Sequence, residues 1–305
     1  MTMETLITTV TDGQKKQVKR FAEDAVDRAI AAGLFGKGSI QKLIENGDKF
    51  QAHIIAGIKL SVSNQFATEE VPSSYTYPKE YKGPKPIADQ IKAIAKIFDL
   101  DSSQALEFAK NLPALPDGAE GWFAIPSVDA LAKKHFPEVT DPVQKYCQAV
   151  QLVHAKLAAS WSFYNYREGQ ITPAQLRVHT RTAHALDLIA ETQEASDILI
   201  VAAQLGMRHR GKSVRRAREV FGTGEFGLGS LAVGSIVLTH PEQLVRWEEL
   251  DMNCSGDEFS PEADGVFSHA PVLVFHDDGL GFDTDHIGDY DADCRSVSAF
   301  LPVVS

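Results

Sequence analysis

Four prolines within fifteen positions, Pro72, Pro78, Pro84 and Pro86, constrain this chain more than any other feature. Proline fixes φ and offers no amide N–H, so no regular helix can cross residues 68–86. Tyr75, Tyr77 and Tyr81 lie among the prolines. The stretch reads as an extended segment laid over a surface, and as the boundary between an N-terminal part and the rest.

Helical periodicity stands on both sides of it. Before it, Val18, Phe21, Ala22, Ala25, Ala29 and Ile30 recur at three- and four-residue spacing, and Gly33 can end the run. Residues 39–46 predict a short helix, and residues 50–62 fit helix or strand. Beyond it, Ile87, Ile91 and Ile94 mark a helix over residues 86–98. Residues 103–111 predict another, and residues 112–126 a packed loop. Asp141-Pro142 is an N-cap with proline at the first helical position. Val143, Tyr146, Cys147, Val150, His154, Leu157, Trp161 and Tyr164 then keep one face. Thr172-Pro173-Ala174-Gln175 reads as a capping box opening a helix that runs to about residue 191. Residues 197–205 are apolar behind Ser196, and Ser213 can cap residues 214–221.

After Gly222 the texture changes. Gly222, Gly224, Gly227, Gly229 and Gly234 loosen the chain, and residues 235–239, 245–250 and 272–276 read as short strands between acidic turns. The expected fold is therefore α+β, a helix-rich body with a smaller β-rich acidic C-terminal region. Its divisions are an N-terminal helical segment (1–70), the extended segment (71–84), the helical body (85–222) and the C-terminal region (223–305).

Composition limits the class. The chain has 305 residues, 44% hydrophobic and 23% charged, which is ordinary for a globular protein. The longest aliphatic run, residues 198–203, is far shorter than the roughly 18–20 residues of a membrane helix. No basic stretch followed by an apolar core opens the sequence, so no signal peptide is expected. The three cysteines, Cys147, Cys254 and Cys294, are odd in number and widely spaced. That suits a reducing cytoplasm and argues against a disulfide framework or a zinc ribbon.

Charge is segregated. Residues 1–240 are near balance at +2, whereas residues 241–305 carry −13. At the opposite extreme, Arg208, Arg210, Lys212, Arg215, Arg216 and Arg218 face only Glu219 within residues 205–220. Either the two extremes neutralise each other in the fold, or each serves an outside partner. An open basic turn would bind a polyanion, nucleic acid above all, by charge. The aromatic run from Trp161 to Tyr166 could add base stacking.

The same turn satisfies a second pattern. Gly206-Met-Arg-His-Arg-Gly211-Lys212-Ser213 fits G-x-x-x-x-G-K-[ST], in which backbone amides ring a phosphate, the lysine neutralises it and the serine holds Mg²⁺. Asp277, at the end of an apolar run, would be the acidic partner, and the cofactor would be ATP or GTP with Mg²⁺. The residues after Ser213 lack the repeated βα units such a sheet requires, so the favoured reading of residues 198–213 is a helix–turn–helix junction in which Gly206 and Gly211 are plain caps. Gly222-Thr-Gly224-Glu-Phe-Gly227 matches G-x-G-x-x-G but follows a charged helix, so it reads as a loop. Residues 283–294 hold Asp283, Asp285 and Asp289 at calcium-loop spacing, but Ile287 and Cys294 occupy positions that need oxygen ligands. His269, His276 and His286 stand near carboxylates without a catalytic motif around them.

Residues 118–126, 164–169, 208–219 and 225–229 resemble stretches of a family of bacterial, mobile-element-type proteins with no assigned activity. The resemblance would cover the chain from about residue 70 onward. It implies a bacterial or mobile-element origin, supplies no catalytic residue to carry over, and counts against the nucleotide loop. Three readings follow. The favoured one is a non-enzymatic protein that contacts a polyanion through the basic turn. The others are a P-loop nucleotide hydrolase using Lys212, Ser213 and Asp277, and a structural or assembly protein using the acidic C-terminal face and the Tyr75–Tyr81 segment. Partners are nucleic acid or another protein, with no membrane.

Overall fold

The computed structural model describes residues 12–31, 33, 36–62, 65–244, 251–276 and 279–302. The chain divides into two compact units, Met1–Gln65 and Phe66–Ser305. The first holds α1 (Asp12–Ala31), α2 (Lys37–Glu45) and α3 (Gly47–Val62). So residues 50–62, ambiguous by sequence, are helical.

In the second unit the chain first runs extended to Pro86, as the prolines require. Then come α4 (Ile87–Phe98), α5 (Ser103–Phe108), β1 (Gly121–Pro126), α6 (Val128–His135), α7 (Pro142–Ser160), β2 (Phe163–Asn165), β3 (Leu176–Val178) and α8 (Thr180–Thr192). They are followed by β4 (Ile198–Gln204), α9 (Val214–Val220), β5 (Glu225–Gly227) and α10 (Ser230–Thr239). The remaining strands are β6 (Asp251–Asn253), β7 (Asp257–Phe259), β8 (His269–His276), β9 (Gly279–His286), β10 (Cys294–Ser296) and β11 (Ser298–Phe300). The fold is mixed α+β.

Caps set several boundaries as the sequence suggests. Asp141 accepts a hydrogen bond from the Gln144 amide at 2.8 Å and starts α7. Ser213 accepts from the Arg216 amide at 3.1 Å and starts α9.

Several segments differ from expectation. α7 ends at Ser160, so Trp161 and Tyr164, expected on its face, lie beyond it, and Tyr164 belongs to β2. The Thr172–Gln175 box closes only a turn, with the Gln175 amide bonded to the Thr172 carbonyl, and the chain then enters β3. The helix opens later, at α8, behind His179. The loop expected over residues 112–126 contains β1. Residues 235–239, expected as strand, belong to α10. Every residue of α10 is buried. A helix apolar on all sides shows no period, so residue spacing could not distinguish it from strand. The expected strand at 245–250 lies outside the described residues.

The C-terminal region is no separate cap. One sheet has the antiparallel order β1-β4-β11-β5, so β11 sits between strands from the middle of the chain. The other runs β10-β6-β8-β7-β3, with β9 on β8 and β2 on β9. β2 and β3 therefore pair with C-terminal strands. Val297 is the one residue between β10 of the second sheet and β11 of the first, and it is fully buried. α10 packs between α7 and β1, and α4 covers β1. Ile91, Ile94, Phe98, Phe123, Val150, Val153, Leu157, Val233 and Ile236 fill that core.

Gly227, Gly229 and Gly234 serve closeness rather than looseness. Gly227 and Gly256 pack backbone to backbone. A Cβ on Gly227 would lie 2.4 Å from the Ser255 carbonyl carbon and 2.6 Å from the Gly256 nitrogen. The Gly256 amide donates to the Leu228 carbonyl at 2.9 Å, and the Leu228 amide to Val297 at 3.0 Å. This contact ties the two sheets together.

Candidate functional site

The basic turn joins β4 to α9, so residues 198–220 form strand, loop and helix rather than the expected helix–turn–helix junction. Extended residues 69–77 cross directly over it. The Val71 amide donates to the Gly211 carbonyl at 2.8 Å, and the Ser213 amide to the Glu69 carbonyl at 3.1 Å. Gly211 has φ +72°, and a Cβ there would fall 2.2 Å from the Val71 carbonyl oxygen. Only glycine lets the crossing segment come so close.

Each of the six basic side chains is engaged within the chain. Arg208 Nε lies 3.3 Å from Glu225 Oε2. Arg210 Nη1 donates to the Tyr75 carbonyl at 3.0 Å. Lys212 Nζ stands 3.9 Å from Glu70. Arg215 grips both oxygens of Glu69, its Nε at 2.9 and 2.7 Å. Arg216 bonds Glu70 at 3.1 Å and Glu219 at 2.8 Å. Arg218 turns inward and donates to the carbonyls of Ser255 and Asp257 at 2.9 and 2.5 Å. The neutralising carboxylates are Glu69, Glu70, Glu219 and Glu225. None lies among residues 241–305, where the charge segregation put the carboxylate excess, although Glu225 belongs to the C-terminal region (223–305) and Asp257, Glu258 and Asp289 act through charge on Arg218 and Arg215. Hydrogen bonds from Arg215 and Ser213 hold the Glu69 carboxyl below its ordinary range, against the opposing effect of burial.

In the segment that fits the phosphate-loop pattern the backbone donors are engaged within the chain. The Gly206 and Arg208 amides donate to Gln204 Oε1 at 2.7 and 3.3 Å, the Met207 amide to the Tyr77 hydroxyl at 3.3 Å, and the Gly211 amide to the Cys294 carbonyl at 2.8 Å. A phosphate needs these donors turned outward. The Ser213 hydroxyl caps α9 and donates to Glu69 at 2.8 Å. β4 lies in an antiparallel sheet, not beside the parallel βα units of a nucleotide fold. The acidic partner Asp277 lies outside the described residues.

The residues at calcium-loop spacing fall on a strand and the turn beyond it. Asp283 and Asp285 belong to β9, where the chain is extended and cannot wrap an ion. Asp283 pairs with Arg167 Nε at 2.7 Å. Desolvation, with Asp283 and Asp289 nearby, raises Asp285 to about 6. Asp289 faces His286 at 3.6 Å. Among the described residues no group of three or more His, Cys, Asp or Glu side chains is placed to hold a metal ion. His269 and His286 stack edge to face at 5.6 Å.

The aromatic run splits by the strand period. Phe163 meets buried His154 at 5.3 Å, whereas Tyr164 and Tyr166 stay exposed and lie 4.5 Å apart. In the Tyr75–Tyr81 segment, Tyr77 turns inward, donating to Glu120 at 2.5 Å and meeting Tyr81 at 5.2 Å. Tyr77 and Tyr81 are therefore partly buried against the core, while Thr76, Lys79 and Glu80 of the same segment stay exposed.

Two buried polar clusters carry no sequence motif. In the first, Glu225 Oε1 accepts from Ser298 Oγ at 2.7 Å and meets His209 Nε2 at 2.6 Å, while Gln204 Nε2 donates to Ser298 Oγ at 2.8 Å. Serine, histidine and carboxylate meet here, but the serine proton points at the carboxylate and not at the imidazole. Nucleophilic activation needs the opposite arrangement. Burial would raise Glu225, yet His209, Ser298 and the Gly222 amide hold it down at about 2. In the second, Asp257 accepts from the Tyr146 hydroxyl at 2.7 and 2.9 Å and from the Ser230 amide at 2.6 Å, at the start of α10. Both clusters join residues far apart in the chain, so residue spacing gave no signal for either.

Compared with known proteins, the chain finds no match among family models, curated proteins or solved structures. Among the described residues no helix is long and apolar enough to cross a membrane.

Proposed function

We propose that the protein is a non-enzymatic assembly protein whose contact surface is its N-terminal helical unit. One observation carries this reading. In α1, α2 and α3 none of the described side chains is buried, yet Val18, Val26, Ile30, Ile44, Ile55 and Ile58 are between 40% and 68% exposed. Isolated helices are marginal in water and draw most of their stability from burying an apolar face. Helices of this length that leave six aliphatic side chains wet are built to be covered. Sedimentation velocity of the full chain at micromolar concentration should show a reversible oligomer. Val18→Asp with Val26→Asp should reduce it to monomer. A wild-type chain that stays monomeric at every concentration overturns the reading.

A second reading keeps the basic turn. It rests on Glu69, an anionic group already seated on Arg215 and Ser213. A nucleic-acid phosphate would compete for the same donors. In this reading Glu69→Gln with Glu70→Gln raises affinity for DNA or RNA several-fold at low salt, and Arg215→Ala with Arg216→Ala removes it. No binding by any of these proteins at low ionic strength, with thermal melts verifying that each is folded, overturns the reading.

A further inference from the structure

α1 carries its charges in a pattern that selects its partner. It spans twenty residues, about 30 Å. Val18, Ala22, Val26 and Ile30 recur every fourth position and form one exposed row. The adjoining row is Lys15, Lys19, Glu23 and Asp27, also exposed. It is basic in its first half and acidic in its second. The helix macrodipole favours the opposite order.

We propose, resting on the assembly reading, that α1 pairs antiparallel with α1 of a second copy of this chain. A two-fold axis at Ala22 sets Val18 of one copy against Val26 of the other, and Ala22 against Ala22, where the small side chain permits close approach. In an antiparallel pair a helix edge meets the same edge of its partner. Lys15 and Lys19 then run beside Glu23 and Asp27 of the second copy, on both sides of the axis. A parallel pair would set this row against the partner's other edge, so its basic and acidic halves would never meet. An isologous contact must be self-complementary, and this row complements itself only when reversed. A different protein as partner would place no such demand on the row.

The test uses full-length charge-reversed chains. Lys15→Glu with Lys19→Glu makes the row wholly acidic, and Glu23→Lys with Asp27→Lys makes it wholly basic. Both changes agree with the macrodipole, so helicity by circular dichroism should hold. Each variant alone should lose at least tenfold in self-association by sedimentation equilibrium, and an equimolar mixture should recover a mixed dimer by native mass spectrometry. Ala22→Cys should form an intermolecular disulfide with itself under mild oxidation, and Ile30→Cys should not. If both variants associate like the wild type, or the mixture recovers nothing, the antiparallel pairing is overturned while assembly stands. A monomeric wild-type chain removes both.

Discussion

Gly227→Ala should cost about 3 kcal/mol of stability, a large part of the 5–15 kcal/mol that holds a typical domain together. The new Cβ would sit 2.4 and 2.5 Å from the Ser255 carbonyl carbon and oxygen and 2.6 Å from the Gly256 nitrogen. All three are backbone atoms. No side chain can rotate aside, so the two sheets must separate or the turn over residues 254–257 must move. Either movement strains the hydrogen bonds from Gly256 to Leu228 and from Leu228 to Val297. Urea unfolding should show the midpoint falling sharply, or no cooperative transition at all. Gly57→Ala is the matched control. Nothing lies within 4 Å of a Cβ there, and the site is inside α3, so alanine should stabilise the helix by about 0.5–1 kcal/mol. Equal, small effects at both positions would show that the backbone contact is not what joins the sheets.

The sequence made local structure legible and long-range structure opaque. Asp141-Pro142 and Ser213 announce α7 and α9 because a cap is a contact between residues three apart. The proline-rich stretch is extended because its torsions permit little else. α10 was hidden because residues apolar on every side carry no period. The placement of β11 between β4 and β5 was hidden because strand pairing links distant residues, and nothing near Ser298 names Gln204 or Gly227 as its neighbours. The candidate site divides the same way. The basic count of residues 208–218 is plain in the sequence. Its neutralisation is not, because Glu69 and Arg215 are 146 positions apart. A carboxylate excess at one end of the chain pointed to the wrong partners, since net charge says nothing about contact.

Asp257→Ala should rank with the glycine change. The wild-type carboxylate accepts the Tyr146 hydroxyl and the Ser230 amide, and all three groups are buried. Alanine leaves two buried donors without an acceptor, a loss of about 3 kcal/mol. Asp257→Asn keeps one carbonyl oxygen and should lose less. The two changes also differ in pH dependence. Burial raises the Asp257 carboxyl from its ordinary 3.8 to about 6, with Ser230, Tyr146 and Arg218 pulling the other way. Between these values the folded protein holds more protons than the unfolded chain. Stability contributed by this group is therefore full below about pH 4, falls as pH rises towards 6, and stays low above it. The span is about 3 kcal/mol. Asp251, raised to about 7 by burial and by Asp293, slopes the same way, so the quantity to read is the difference between wild type and Asp257→Asn. That difference, from urea unfolding at pH 4.5 and pH 7, should favour the wild type more strongly at the lower pH. A difference that does not change with pH would mean that burial does not lift the Asp257 carboxyl above its ordinary range.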